Sequence, residues 1–429
     1  MVELVLCDGK AEFERIGAMR ARSAEVDREV TKAVAEIIEA VRMRGDAALR
    51  EFGGRFDGRC PERLEVTREE INDALSAADG DFVEAMLSAQ QNIADFHARQ
   101  KTQSFVDLKE NGVILGQRVR GLRRVGLYVP GGTAAYPSSV LMNAVPAKIA
   151  GVEEIVMVTP PGKDGKANPD ILVAAAIAGV DRVFLTGGAQ AVAALAFGTE
   201  TIPSVDKVVG PGNIYVATAK KLLYGTVDID MIAGPSEILI IADETANPRY
   251  LAADMMGQAE HDRLASAVLL TTSRGTAEKT IAELERQIEE LPRREIIAAS
   301  LRDYGAVLIC RDDAEMAALA NRIAPEHLEV LTKEPMSWLG RLDNAGSIFL
   351  GEYSPEPLGD YYAGPNHVLP TGGTARFFSP LGVDSFVKRT AFTFYTREAL
   401  CEAGKDIMTI AEREGLLAHR NAVRVRMEK

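Results

Sequence analysis

Histidine is the residue type best suited to chemistry in this sequence. The 429-residue chain contains five histidines, and four lie in motif-like settings: His261, His327, His367 and His419. Gln258 precedes His261 by three positions, and residues three apart share one face of a helix. Imidazole is a common zinc ligand and an amide oxygen a rarer one, so this pair can bind one cation. The same pattern also fits a helix C-terminus at which the histidine meets the last carbonyls.

Glu326 and His327 place two proton-transfer groups side by side. A carboxylate and an imidazole are typical general acids and bases. Neighbours in a strand point to opposite faces, so both can serve one site only at a strand end or bend, and Pro325 favours such a bend. The alternative is an exposed glutamate followed by a hydrogen-bonded core histidine.

Two further segments combine a carboxylate with an imidazole. The loop from Gly359 to His367 contains Asp360, and long loops with dense polar chemistry are often functional. Glu414 and His419 lie near the C-terminus, where chains usually fray, so a role in a site requires docking, for example against another subunit. The simpler interpretations are an Asx-turn at Asp360, a hydrogen-bonded loop histidine and a frayed surface tail.

Three glycine-rich turns each follow a predicted strand and precede a predicted helix. Open α/β sheets bind ligands at this edge, near helix N-termini that attract phosphate. None of the turns matches the G-x-G-x-x-G fingerprint, and tight-turn glycines explain each one on its own. The turns are Pro130-Gly131-Gly132, Thr186-Gly187-Gly188-Ala189-Gln190 and Gly210-Pro211-Gly212-Asn213.

Short apolar runs alternate with amphipathic helical segments through most of the chain. Runs at 125–129, 155–158, 182–185 and 328–331 predict buried strands. Such an alternation is typical of parallel βαβ units with helices on both faces of the sheet. The sequence therefore predicts an α/β fold with two Rossmann-like parallel-sheet domains, one inserted in the other.

The positions of glycine and proline between predicted elements indicate the expected domain boundaries. A helical N-terminal arm (1–25) precedes a main domain (26–127 and 237–377), which is interrupted by an inserted domain (128–236) and followed by a helical tail (378–429). No short-period repeat that would indicate a solenoid is evident.

Residues 351–380 are rich in glycine and proline, which predicts a loop. Helical segments are expected near 385–389 and over 396–420.

Composition excludes several classes of function. The net charge is −13 without a long basic run, which argues against nucleic acid or an anionic membrane as partner because both require clustered Lys and Arg. We expect no secretion signal and no membrane span. Four scattered cysteines, Cys7, Cys60, Cys310 and Cys401, fit the reducing cytosol better than a disulfide scaffold. A cytoplasmic location is therefore expected.

Taken together, these segments resemble histidinol dehydrogenase. The similarity extends from Gly121 to Arg420 in the family's order, and several long motifs are far more specific than one glycine turn. The matching stretches are GLYVPGGTAAYPSSVLMNAVPA, TGGAQAVAALAFGT, VVGPGNIYVATAK, DMIAGPSEILIIAD, GQAEHD, APEHLE, GDYYAGPNHVLPTGGTARF and EGLLAHR.

The resemblance implies oxidation of L-histidinol to L-histidine through bound histidinal, with two NAD reduced and one zinc ion per subunit. The family's zinc ligands, which also contact the substrate, match Gln258, His261, Asp360 and His419. Its other substrate contacts match Ser236, His327, His367 and Glu414. Its acid–base pair matches Glu326 and His327. Its NAD contacts match Tyr128, Gln190 and Asn213.

The family is a homodimer in which the C-terminal segment crosses to the partner's site, and its inserted domain contacts NAD. Such a crossing would explain a catalytic motif in a tail. A paralogous branch that oxidises a sulfonated diol is an alternative, but that substrate has no imidazole, and the presence of His367 and Glu414 favours the amino alcohol. A zinc hydrolase without NAD and a non-catalytic zinc-stabilised binding protein are the alternatives from other classes.

Overall fold

The computed structural model describes residues 2–21, 27–58, 61–131 and 135–428. Cys60 and Gly132, both considered in the sequence analysis, lie outside these ranges. The chain divides into two compact units, which comprise Met1–Gln100 with Leu122–Phe386, and Lys101–Gly121 with Val387–Lys429.

The structure contains alternating helices and strands, as the sequence predicts. In chain order, the first part contains β1 (Glu3–Leu6), α1 (Ala11–Ala21), α2 (Asp27–Arg44), α3 (Asp46–Phe56), β2 (Glu65–Val66), α4 (Arg68–Ala77), α5 (Gly80–Ala98), β3 (Phe105–Leu108), β4 (Ile114–Gly121), β5 (Arg124–Tyr128), α6 (Pro137–Ala150), β6 (Glu154–Thr159), α7 (Pro169–Ala178), β7 (Arg182–Leu185), α8 (Gly188–Phe197), β8 (Lys207–Val209), α9 (Ile214–Leu223) and β9 (Asp228–Ile229).

The second part contains β10 (Glu237–Ala242), α10 (Pro248–Ala259), β11 (Ser266–Thr271), α11 (Arg274–Gln287), α12 (Arg294–Tyr304), β12 (Gly305–Ile309), α13 (Asp313–Ile323), β13 (His327–Leu331), β14 (Ser347–Leu350), α14 (Glu356–Tyr361), β15 (Val387–Phe394), α15 (Arg397–Arg413) and α16 (Leu417–Met427). Within the described residues, none of these helices combines the length and apolar character that crossing a membrane requires.

The first sheet is parallel, with the strand order β1-β12-β11-β10-β13-β14. Its central strands are almost wholly apolar, as in Ile238–Ile241, because helices cover both faces and exclude water from both sides. Apolar clusters on either side of β10 contain Leu239 and Ile241 on one face and Ile238 and Ile240 on the other.

The second sheet has the order β2-β7-β6-β5-β8-β9. Strands β5 to β9 are parallel, and only the two-residue β2 runs antiparallel, against β7. Two parallel sheets within one chain confirm the predicted α/β class.

The grouping of the N-terminal segments differs from the expected one. Strand β1 pairs with β12, so residues 3–6 complete the first sheet and the arm is not purely helical. Residues 27–100 were assigned to the domain of the first sheet, but α2 to α5 pack on the helices of the second sheet, and β2 pairs with β7. The helical spacing of Val30, Val34 and Val41 indicates the buried face of α2, but it cannot identify the partner of that face.

The smaller unit contains the antiparallel sheet β15-β4-β3 and the paired helices α15 and α16. The helix expected near 385–389 is wrong, because Val387 begins β15, which pairs with β4 from Val387↔Gly121 to Phe394↔Ile114. The sequence KRTAFTF is rich in the β-branched and aromatic residues that favour strands, and this composition is the signal that the helical interpretation misses. The expected helix over 396–420 is divided at Glu414-Gly415 into two.

Candidate functional site

Glu326 and His327 meet at the start of β13. Ala324 adopts a left-handed backbone (φ 49°), which is uncommon for a residue other than glycine, and Pro325 follows it. This bend lets the two neighbours face one site: the Oε2 atom of Glu326 lies 3.7 Å from Nδ1 of His327. Glu326 Oε2 also accepts a hydrogen bond from the Glu237 amide at 2.9 Å.

Both members of this pair are buried, and their environments shift their pKa values. Burial raises the pKa of Glu326 to about 8. Burial alone would lower the pKa of His327, but the negative charges of Glu326, Glu356 and Asp360 raise it to about 10. His327 Nδ1 lies 3.2 Å from the Glu237 carbonyl, which can only accept a hydrogen bond. Its Nε2 atom is buried without a hydrogen-bond partner and lies 3.6 Å from Asp360 Oδ1.

The predicted metal ligands of this unit converge beside His327. Gln258 is buried near the end of α10, and His261 follows that helix with an exposed side chain. Asp360 lies in α14, so the segment expected to be a loop contains a short helix. One ligand atom each from His261, Asp360 and Glu356 lie within 4.8 Å of one another.

Glu356 was missed by the sequence analysis. It begins α14 four residues before Asp360, so both lie on one face of that helix. The side-chain amide of Gln258 forms good hydrogen bonds in the orientation in which its nitrogen donates to both Glu356 carboxylate oxygens at 3.0 Å.

His367 is oriented by two contacts. Its Nδ1 donates to the Asp360 carbonyl at 2.9 Å, and the Ser139 hydroxyl lies 3.2 Å from its Nε2. Ser139, from α6, is also a residue that the sequence analysis did not single out. Burial lowers the pKa of His367, and desolvation lowers that of His261; both shifts favour the neutral imidazole, which is the form that binds metal ions.

Two further carboxyl groups lie behind Glu356. Glu329, fully buried on β13, accepts a hydrogen bond from the Glu356 amide at 2.8 Å. Burial raises the pKa of Glu329, of Glu356 (to about 7) and of Asp254 (to about 6). With Glu326 and Asp360, five carboxyl groups therefore surround this site.

A cavity of about 230 Å³ adjoins these groups. Its lining combines apolar side chains with the polar groups that converge there, among them His327, Phe349, Leu358, Asp360 and His367. The site lies at the amino ends of the first sheet's strands, since His327 begins β13 and the half-buried Ser236 directly precedes β10. This placement differs from the usual ligand site at the carboxyl ends of parallel strands.

The three predicted dinucleotide contacts lie at the carboxyl edge of the second sheet instead. Tyr128 ends β5, and its hydroxyl accepts a hydrogen bond from the Gly188 amide at 3.0 Å; burial raises its pKa to about 12. Gln190 is buried in the first turn of α8. Asn213 is the exposed N-cap of α9, and its Oδ1 accepts from the amides of Tyr215 and Val216.

Glu414 and His419 belong to the smaller unit, whereas the residues described above belong to the larger one. Glu414 is the C-cap residue of α15, and His419 lies in α16; both side chains are exposed. Apolar side chains are also exposed in this unit, including Phe105, Val106, Leu108, Phe394, Ile410 and Leu417.

Comparison with known proteins identifies the relatives of this chain. The histidinol dehydrogenase family profile matches residues 20–427. Histidinol dehydrogenase of Clostridium acetobutylicum is 54% identical over 425 residues, 99% of both chains. That of Heliobacterium mobile is 56% identical over 405 residues, 94% of this chain and 95% of its own. The crystal structure of histidinol dehydrogenase from Elizabethkingia anophelis superposes with a TM-score of 0.93 at 36% identity, covering 99% of this chain and 98% of that one.

Proposed function

This chain belongs to the histidinol dehydrogenase family, and we propose that it oxidises L-histidinol through bound histidinal to L-histidine, reducing two NAD and consuming one water, in histidine biosynthesis. The observation that carries this proposal is the convergence of Glu326 and His327 with Gln258, His261 and Asp360 in one site. Proton-transfer groups and candidate cation ligands thus lie side by side.

We further propose that the cation is zinc, held by Gln258, His261 and Asp360, with His419 supplied by a second copy of the chain. The donor set fits, because two imidazoles, a carboxylate and an amide oxygen suit zinc. The charge fits as well: His327 lies within 3.8 Å of Glu326, Glu356 and Asp360, and a divalent cation would balance several nearby carboxylates. When bound, zinc would supply a Lewis-acidic centre that holds the imidazole and amine nitrogens of the substrate.

The homodimer that this ligand set requires is supported by the smaller unit. His419 is exposed there, and the unit also exposes many large apolar side chains. Apolar patches of this kind mark interaction surfaces. A second chain would cover them while it brings Glu414 and His419 to the substrate.

In the proposed mechanism, His327 accepts the alcohol proton. The carboxylates beside His327 raise its pKa, and a divalent cation bound among them would offset their charge and leave the imidazole neutral, as a base must be. The Glu237 carbonyl holds a proton on Nδ1, which leaves Nε2, the atom without a partner, to act as the base. NAD, whose nicotinamide accepts the hydride, would be held at the second sheet's turns by Tyr128, Gln190 and Asn213. The position of the three residues supports this assignment, because they lie at the carboxyl edge of a parallel sheet, where open α/β sheets bind ligands.

Glu326 is proposed to act in the second oxidation. Its buried carboxyl group adjoins His327 and can take a proton from the water that attacks the aldehyde. As water adds, His327 would return its first proton to the aldehyde oxygen, and it would then accept a second proton as the hydrated aldehyde loses its hydride to NAD. One imidazole can serve both oxidations, because they occur in sequence.

Stoichiometry tests the proposed function directly. Purified protein given limiting L-histidinol and excess NAD should form two NADH per histidinol consumed, because both oxidations occur before release. NADH absorbance and amino-acid analysis measure the two quantities. A ratio of one would contradict the proposal, and activity that survives complete removal of metal by a chelator would contradict the zinc site.

Replacing Glu356 should weaken zinc binding through Gln258. Glu356→Met removes the acceptor that orients the amide, and the loss of such an outer partner costs roughly 10–100-fold in metal affinity. Glu356→Gln retains an acceptor oxygen and should keep most of the affinity, as measured by competition with a chromophoric chelator. An equally large loss in both variants would indicate that the carboxylate itself binds the metal.

A further inference from the structure

Lys220 and Asp230 form an ion pair inside the domain of the second sheet. Their side chains are 2% and 1% exposed, and charged side chains are almost never fully buried unless they are paired. Lys220 comes from the last turns of α9, and Asp230 directly follows β9. The mechanism proposed above uses neither residue.

Both charged groups hold the same glycine. Lys220 Nζ donates to the Gly210 carbonyl at 3.0 Å, and the Gly210 amide donates to Asp230 Oδ2 at 2.8 Å. The other carboxylate oxygen accepts from the Met231 amide at 2.6 Å. The pair therefore occupies both main-chain polar groups of Gly210.

The backbone conformation and the packing of Gly210 also restrict its position. Its φ of 110° lies in a region that other residues rarely adopt, and its Cα packs against the Tyr128 backbone. The Tyr128 hydroxyl in turn accepts from the Gly188 amide at the start of α8. Tyr128, at the end of β5, thus contacts both the turn after β8 and the turn after β7.

We propose that Lys220 and Asp230 are positioning residues for NAD binding, which clamp Gly210 and thereby set the turn that carries Asn213. This inference rests on the proposed assignment of NAD to that turn. The two residues act through the main chain of Gly210 and do not themselves touch the dinucleotide.

Stability alone does not explain the pair. Replacing a buried ion pair by apolar residues of similar volume is often neutral or stabilising, so packing could fill the same space without charges. A pair that accepts from the N–H and donates to the C=O of one peptide residue fixes the orientation of that residue, which apolar side chains cannot do. The orientation matters because Asn213 follows Gly210 by only three residues.

The test uses the full-length, zinc-loaded protein and measures the Kd for NAD by calorimetry, together with zinc content and melting temperature. The double variant Lys220→Met/Asp230→Asn removes both charges and leaves no unpaired buried charge. Leu223→Ala, on the same helix and also buried, is the matched control for packing damage. Asn213→Ala tests whether NAD binds at this turn.

We expect the double variant to raise the Kd at least about tenfold, the change that losing roughly one hydrogen bond to a ligand produces, with zinc content unchanged. Leu223→Ala should lower the melting temperature and leave the Kd unchanged. If Asn213→Ala weakens binding but the double variant does not, the clamp is refuted and the NAD site stands. If neither variant changes the Kd, the assignment of NAD to this turn fails, and the clamp with it. Should the double variant not fold, Lys220→Met alone must raise the Kd, because it removes the donor to the Gly210 carbonyl while the Asp230 carboxylate keeps its two amide donors.

Discussion

His261→Asn should abolish stable zinc binding and reduce the oxidation of histidinol to a trace. His261 contributes an imidazole to the group in which ligand atoms of His261, Asp360 and Glu356 lie within 4.8 Å of one another, and its lowered pKa keeps that imidazole neutral at physiological pH. Asparagine is shorter and offers a harder oxygen donor. We expect a loss of metal affinity greater than the roughly 10–100-fold typical of outer-shell substitutions. Zinc content after dialysis, measured by atomic emission, is the primary readout.

Asp262→Asn is the matched control for His261→Asn. Asp262 lies in the same loop, where it accepts a hydrogen bond from the Leu264 amide at 2.8 Å, and asparagine can retain that contact. This variant should hold one zinc per subunit and remain active. Full zinc occupancy in His261→Asn would remove His261 from the ligand set.

The second large effect is expected for Glu326→Gln, and it should be selective. The amide cannot take a proton from water, whereas general acid–base catalysis contributes about 10²–10⁴-fold to a rate. Oxidation of histidinal should therefore slow by about that factor, while oxidation of histidinol to the aldehyde should slow much less. Single-turnover measurements that start separately from the alcohol and from the aldehyde distinguish the two steps.

Glu329→Gln provides the comparison for this variant. It also removes a buried carboxyl group from β13, two residues beyond His327, but it leaves Glu326 in place. Any loss should affect both oxidations alike. If Glu326→Gln slows the two oxidations equally, its proposed role in activating water is wrong.

The parts of the fold that local patterns dictate were predictable. Apolar runs such as Arg182–Leu185 became buried strands, because parallel strands covered on both faces carry little polar character. Asn247-Pro248 is typical of a helix start, and the Asn247 side chain caps α10 by accepting from the Arg249 amide. The bend inferred from Pro325 is present, and it brings Glu326 and His327 to one site.

Contacts between residues that are distant in the sequence could not be predicted from local patterns. Hydrophobic periodicity reports that a helix has a buried face and not which sheet it covers, so residues 27–100 were grouped with the wrong sheet. Ser139 and Asp254 approach the site only through tertiary packing, and their local sequence carries no chemical signature. Glu356 had a usable signal, because Pro355 and Pro357 favour a helix start and place Glu356 one turn before Asp360.

The position of β1 bears on how the N-terminus can be altered. This strand covers the outer side of β12 along four residues, from Glu3↔Ala306 to Leu6↔Ile309. Trimming the first eight residues would uncover a row of main-chain amides and carbonyls on a flat, apolar strand, which is a template for pairing with another chain. Shortened versions of the protein are therefore expected to aggregate although every group of the proposed catalytic centre is still present, and an affinity tag is better added ahead of these residues than in exchange for them.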